Sequence, residues 1–125
     1  MRADAIRKFC LALPHATEQV QWESLLFKIG GKMFALLPLE PAAVCLSLKC
    51  SPDDFYELTE RPDMIPAPYL ARAQWVALER EDALSAQELR LYLRRSYDLV
   101  FAKLPKKTQA ALAPAARPKA RRSPR

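Results

Sequence analysis

Between Ala3 and Leu13 the apolar residues Ile6, Phe9, Cys10 and Leu13 recur at i, i+3, i+4 and i+7, the spacing that gathers side chains on one face of a helix. Pro14 has no backbone N–H and biases Leu13 away from helical dihedrals, so the helix is predicted to stop there. The period then changes. From Thr17 to Leu37 the apolar residues Val20, Trp22, Leu26, Phe27, Ile29, Met33, Phe34, Leu36 and Leu37 are interrupted once by Gly30-Gly31, a pair able to take positive φ in a tight turn. This predicts strands joined by a hairpin. Pro38 and Pro41 mark the next connection, after which Val44, Leu46 and Leu48 alternate with Cys45, Ser47 and Lys49 as in a strand that is apolar on one face.

Ser51-Pro52-Asp53-Asp54 is a helix start: the serine caps, the proline presets φ, and the acids suit the positive end of the helix dipole. Phe55 and Leu58 supply a short apolar face. Arg61 to Pro68, with Pro62, Pro66 and Pro68, reads as an ordered but irregular loop, and Gln74 to Glu79, centred on Trp75, Val76 and Leu78, as a fourth strand. Ser85-Ala86-Gln87-Glu88 matches a capping box and precedes Leu89, Leu93, Tyr97, Val100 and Leu104, which predicts the longest helix, closed by Pro105. After Leu112 the chain is too poor in large apolar groups to repay ordering, so residues 113–125 are expected to form a disordered basic tail behind one domain of residues 1–112. The order α-β-β-β-α-β-α predicts an α+β fold, a small antiparallel sheet with helices on one face.

A chain of 125 residues, half of them apolar, suffices for one core. No run approaches a membrane span, and Asp4, Arg7 and Lys8 interrupt the N-terminus where a signal peptide needs apolar residues. A cytoplasmic protein without a membrane partner is expected. Cys10, Cys45 and Cys50 leave one thiol unpaired in any disulfide scheme and show no metal spacing, so all three are read as reduced. With His15 as its single histidine, the chain offers little to a zinc site or a His-based catalytic pair. The acids Asp53, Asp54 and Glu57 belong to a helix start and Glu79, Glu81 and Asp82 to a strand-to-helix turn; neither set makes a catalytic pair. No catalytic residue, metal or cofactor is expected. The formal charge is +6, but five of the 20 basic residues follow Leu112 with no acid among them, which leaves 15 against 14, or +1, for the rest.

One stretch, Phe27-Lys28-Ile29-Gly30-Gly31-Lys32-Met33-Phe34-Ala35-Leu36, resembles the hairpin of the bacterial MmcQ/YjbR proteins, where a lysine-flanked double glycine precedes an aromatic strand. Further matches follow in order: Leu48-Lys49-Cys50-Ser51-Pro52, Pro66-Ala67-Pro68-Tyr69-Leu70, Gln74-Trp75-Val76 and Ser96-Tyr97-Asp98-Leu99-Val100. The resemblance runs from Ile6 to Lys107. It implies a compact α+β domain likened to a double-wing DNA-binding domain and to the frataxin-like shape, and it carries the family's DNA-binding label. The chain departs from the pattern after the first helix, where the family often has Phe-Gly or Trp-Gly and this sequence reads Val20-Gln21-Trp22-Glu23.

For chemistry, Lys28 and Lys32 flank the double glycine and can offer ammonium groups to phosphates, or simply solubilise a sheet edge. Gly30-Gly31-Lys32 is not a phosphate loop, which needs a longer glycine loop opening onto a helix. Arg90, Arg94 and Arg95 lie off the apolar stripe of the last helix and, with Lys103, Lys106 and Lys107, can line a basic or merely solvated face. Tyr69 and Trp75 can stack on bases, though packing is the favoured role for Trp75. Cys50 beside Lys49 is read as a structural thiol in preference to a reactive one. The expected nucleic-acid contacts are therefore Lys28, Lys32, Lys49, Arg90, Arg94, Arg95, Lys106 and Lys107, with Arg117, Lys119, Arg121 and Arg122 of the tail. The function expected is a non-catalytic DNA-binding module without marked sequence specificity; the alternative is a protein- or small-ligand-binding domain whose basic tail is incidental.

Overall fold

The computed structural model describes residues 1–116, and side chains through residue 112. In chain order the elements are α1 (Ala3–Ala12), β1 (Thr17–Gln21), β2 (Ser24–Ile29), β3 (Lys32–Pro38), β4 (Leu46–Lys49), α2 (Pro52–Thr59), β5 (Met64–Pro66), a 3-10 turn at Ala71–Ala73, β6 (Trp75–Leu78), α3 (Ala86–Ala102) and α4 (Lys106–Ala116). The strands form one antiparallel sheet in the order β1-β2-β3-β4-β6-β5. The α+β class is as expected, with helices against one face.

The main core lies between the sheet and those helices. Phe27, Ile29, Phe34, Leu46, Leu48, Val76 and Leu78 meet Ile6 and Cys10 of α1, Leu58 of α2 and Leu89, Leu93, Tyr97 and Val100 of α3. Tyr97 also donates its hydroxyl to the Pro14 carbonyl at 2.6 Å, tying α3 to the end of α1. On the opposite face Trp75 and Ala77 pack with Met33, Leu36, Val44, Ile65, Ala67 and Leu70, a cluster made among the described residues by strands and loops. Trp75 is 4% exposed, which places it in the core.

The sheet has two strands more than the sequence pattern predicts. Thr17 to Leu37 holds three strands, because Trp22 and Glu23 turn the chain at φ 54° and 58° without a glycine. Positive φ at both central residues suits the twist of a two-residue hairpin and is ordinarily a glycine's or asparagine's task. Replacing Glu23 by Gly should therefore raise stability by about 0.5–1 kcal/mol, read as a higher urea midpoint at unchanged slope, and an unchanged or lower midpoint would contradict it.

The second addition is β5, three residues inside the segment read as irregular, paired to β6 from Met64↔Leu78 to Pro66↔Val76. It forms the sheet edge, the place a strand proline tolerates because no further strand needs its N–H. The third difference is α4. Pro105 breaks the helix as expected, but the chain resumes helix at Lys106, and Gln109 Nε2 clamps the break by donating to the carbonyls of Ala102 and Leu104 at 3.1 and 2.8 Å. The helix carries Leu112 to the edge of the main core and continues to Ala116. The remaining residues of the expected tail, 117–125, lie outside the described residues. No described helix is long and apolar enough to cross a membrane.

Both predicted helix starts form as capped turns. Ser51 Oγ accepts from the Asp54 N–H at 3.1 Å, and Ser85 and Glu88 complete a reciprocal box at 3.1 Å each way. Glu88 is also gripped by the Arg61 guanidinium at 2.7 and 3.2 Å. Arg61 first, and the Ser85 N–H second, hold its carboxyl down at about 2. Since this folded value lies below the ordinary one, the stability linked to it is present above the unfolded carboxylate range and is lost as pH falls towards 2. Glu88→Gln keeps the capping geometry but does not titrate. Its melting temperature should thus fall less than the parent's between about pH 5 and pH 2; equal falls would show that this carboxylate is not a significant source of acid lability.

Candidate anion site at the end of the sheet

The strands β3 and β4 are paired only at Ala35↔Leu48 and Leu36↔Ser47. The next pairing would join the Lys49 N–H to the Phe34 carbonyl, and the hydroxyl of Ser96, a fully buried residue of α3, stands between them. Ser96 Oγ accepts from the Lys49 N–H at 3.1 Å and donates to the Phe34 carbonyl at 2.6 Å. One side-chain oxygen thus replaces a direct ladder bond, satisfies both backbone groups, and wedges the strands apart while fastening α3 to the sheet.

Beyond this wedge lies a cavity of about 290 Å³, lined by Lys32 and Met33 of β3, Lys49 of β4, Trp75 of β6, and Val100, Lys103 and Leu104 at the end of α3. Three lysines share it, and no carboxylate is among its lining residues. Lys49 is half-buried and donates from Nζ to the Ala73 carbonyl at 3.1 Å. Burial first, and the nearby Lys103 charge second, lower its pKa. Among the described residues none of the three lysines forms a salt bridge. An anion entering here meets the charges of exposed Lys32 and Lys103 and of half-buried Lys49 beside apolar walls, with screening reduced chiefly at Lys49.

Two of the residues expected to bind, Lys32 and Lys49, are brought together, and Lys103 joins them. The others are elsewhere. Lys28, on β2, donates to Gln19 Oε1 across the first hairpin and does not line the cavity. The arginines of α3 do not act as one free basic face: Arg94 pairs with Asp98 at 3.2 Å over the Tyr97 ring, and Arg95 pairs with Asp54 at 3.0 Å over the Tyr92 ring. Arg90 is exposed, as are Lys106 and Lys107 in the first turn of α4. Arg117, Lys119, Arg121 and Arg122 lie outside the described residues. Cys50, next to Lys49, is buried, and its thiol is pushed up to about 12 by that burial, with Asp54 adding to it. The lowering influence of Lys49 does not overcome these, so Cys50 stays a protonated core thiol at neutral pH, as does Cys10.

A six-stranded antiparallel sheet, helices on one face and a lysine-lined opening where two strands part define a small α+β domain with a candidate anion site. The YjbR family model matches residues 11–99, and the chain belongs to the YjbR family. It is similar to the crystal structure of DR2400 from Deinococcus radiodurans, of the domain family DUF419, with a TM-score of 0.79 and 32% identity over 88% of this chain and 86% of that one. It also shares its fold with a protein from Pseudomonas syringae, at a TM-score of 0.65 and 18% identity over 80% of this chain and 99% of that one. No curated protein matches the chain significantly. Four of the five segments that carry the family resemblance supply cavity residues: Lys32 and Met33, Lys49, Trp75, and Val100.

Proposed function

We propose that this chain is a non-catalytic nucleic-acid-binding module, DNA being the expected ligand, and that it holds phosphate at the cavity of Lys32, Lys49 and Lys103. The observation that carries this reading is the gathering of three lysines, without a salt bridge among the described residues, around one opening. Of the α3 arginines that looked available in the sequence, Arg94 and Arg95 are matched by acids. Binding is therefore local to the cavity, supplemented by the sequence-independent attraction of Arg117, Lys119, Arg121 and Arg122. Lysine ammonium groups are point charges that fix a phosphate without reading a base, so sequence preference is weak.

The test compares the parent with Lys32→Ala/Lys49→Ala/Lys103→Ala in binding to labelled DNA of mixed sequence over a salt series. Both proteins carry the same C-terminal charges, so the difference isolates the cavity. Loss of three phosphate contacts lowers the magnitude of the log–log salt slope by about 2 to 3, with at least a tenfold loss of affinity at low salt. Identical slopes and affinities would overturn the proposal.

A further inference from the structure

On the sheet face away from the helices an apolar groove of about 430 Å³ crosses β2, β3 and β4, lined by Met33, Leu36 and Val44 together with Trp22 and Tyr69. Trp22 is 66% exposed and Tyr69 fully exposed. Both hold left-handed backbone, φ 54° and 65°, a conformation that aromatic residues seldom adopt. Neither repays that cost by burying its ring. Two large rings are thus offered to solvent at the mouth of one groove, the arrangement a folded chain avoids unless something covers it.

The groove neighbours the lysine cavity, since Met33 lines both. The lysine cavity carries positive charge at Lys32, Lys49 and Lys103, while the groove beside it is apolar and aromatic, with no charged residue among its described lining. A ligand matched to both parts carries flat apolar rings joined to anionic groups. We infer that the preferred ligand is a single-stranded nucleic acid, its phosphates at the three lysines and its unpaired bases stacked at Trp22 and Tyr69. This rests on the phosphate-binding reading above and adds to it that bases must be free. A duplex keeps its base faces stacked internally and presents phosphates alone, so it can use the cavity but not the groove.

The experiment measures affinity for labelled oligo(dT) and for a duplex of equal length, with the full chain, the triple lysine variant, and Trp22→Asn/Tyr69→Asn. Asparagine is chosen because it tolerates positive φ, and both sites are exposed, so the fold should persist. The parent should bind the single strand at least tenfold more tightly than the duplex, and the double variant should lose about tenfold or more of that preference. In the parent, oligo(dT) should also shield Trp22 from acrylamide quenching, a readout that needs no variant. If the lysine variant weakens both ligands while the Asn variant leaves the single-strand preference intact, stacking is wrong and phosphate binding stands. If the lysine variant changes neither ligand, the phosphate reading itself falls, and with it this inference. A parent without single-strand preference overturns the stacking directly, and leaves the groove to a protein partner.

Discussion

Ser96→Ala is expected to destabilise the domain by about 2–4 kcal/mol, measured as a fall in the urea midpoint at nearly constant slope. The serine is fully buried, and its single oxygen serves two backbone groups, the Lys49 N–H and the Phe34 carbonyl. Alanine removes the oxygen and leaves both groups without a partner. Each buried orphan costs about 1–3 kcal/mol, far more than a made hydrogen bond contributes. The two backbone groups can pair directly only if β3 and β4 close the gap. That movement is resisted by α3, whose Leu93, Tyr97 and Val100 are packed against the same sheet. If the variant keeps parental stability, the strands do close, and the cavity beyond the wedge should shrink with them. DNA affinity measured on the same variant then tells whether the opening between β3 and β4 is needed for binding.

How much of this was legible in the sequence depends on the range of each interaction. The starts of α2 and α3 are written in four consecutive residues each, and the β2–β3 turn in a double glycine, so short-range chemistry suffices. The turn at Trp22-Glu23 was hidden because its residue types argue against the backbone they adopt. β5 was hidden because three edge residues, one a proline, show no periodicity. In α4 the helix restart after Pro105 was not predicted, and its last residues, 113–116, fell in the expected tail; what orders its start is the Gln109 clamp and the contact of Leu112 with the core.

The candidate site was only half legible for the same reason. Lys32 and Lys49 stand out beside a glycine pair and at a strand end, but their meeting with Lys103 depends on how the end of α3 seats against β3 and β4. The pairing of Arg94 with Asp98 at i, i+4 was open to a closer reading of the helix, whereas that of Arg95 with Asp54 joins two helices and exists only in the folded chain.

Gly30→Ala is the second change expected to cost about 2–4 kcal/mol, and its neighbour provides the control. Both hairpin glycines have positive φ, 60° at Gly30 and 83° at Gly31. An alanine at either position pays roughly 1–2 kcal/mol for the left-handed backbone. At Gly30 a new Cβ would also stand 2.6 Å from Leu104 Cδ1, whereas at Gly31 it meets nothing within 4 Å. Leu104 is buried and borders the lysine cavity, so it can yield towards that space, but moving it gives up packing in the core, at a cost of about 1–3 kcal/mol. Gly30→Ala should therefore lower stability by at least 1 kcal/mol more than Gly31→Ala in matched urea titrations. Equal losses would mean that only the turn, and not the approach of α3's end, demands glycine. Leu104 also lines the lysine cavity. Displacing it pushes an apolar group towards the place assigned to phosphate, so Gly30→Ala should weaken DNA binding as well as folding, while Gly31→Ala weakens folding alone.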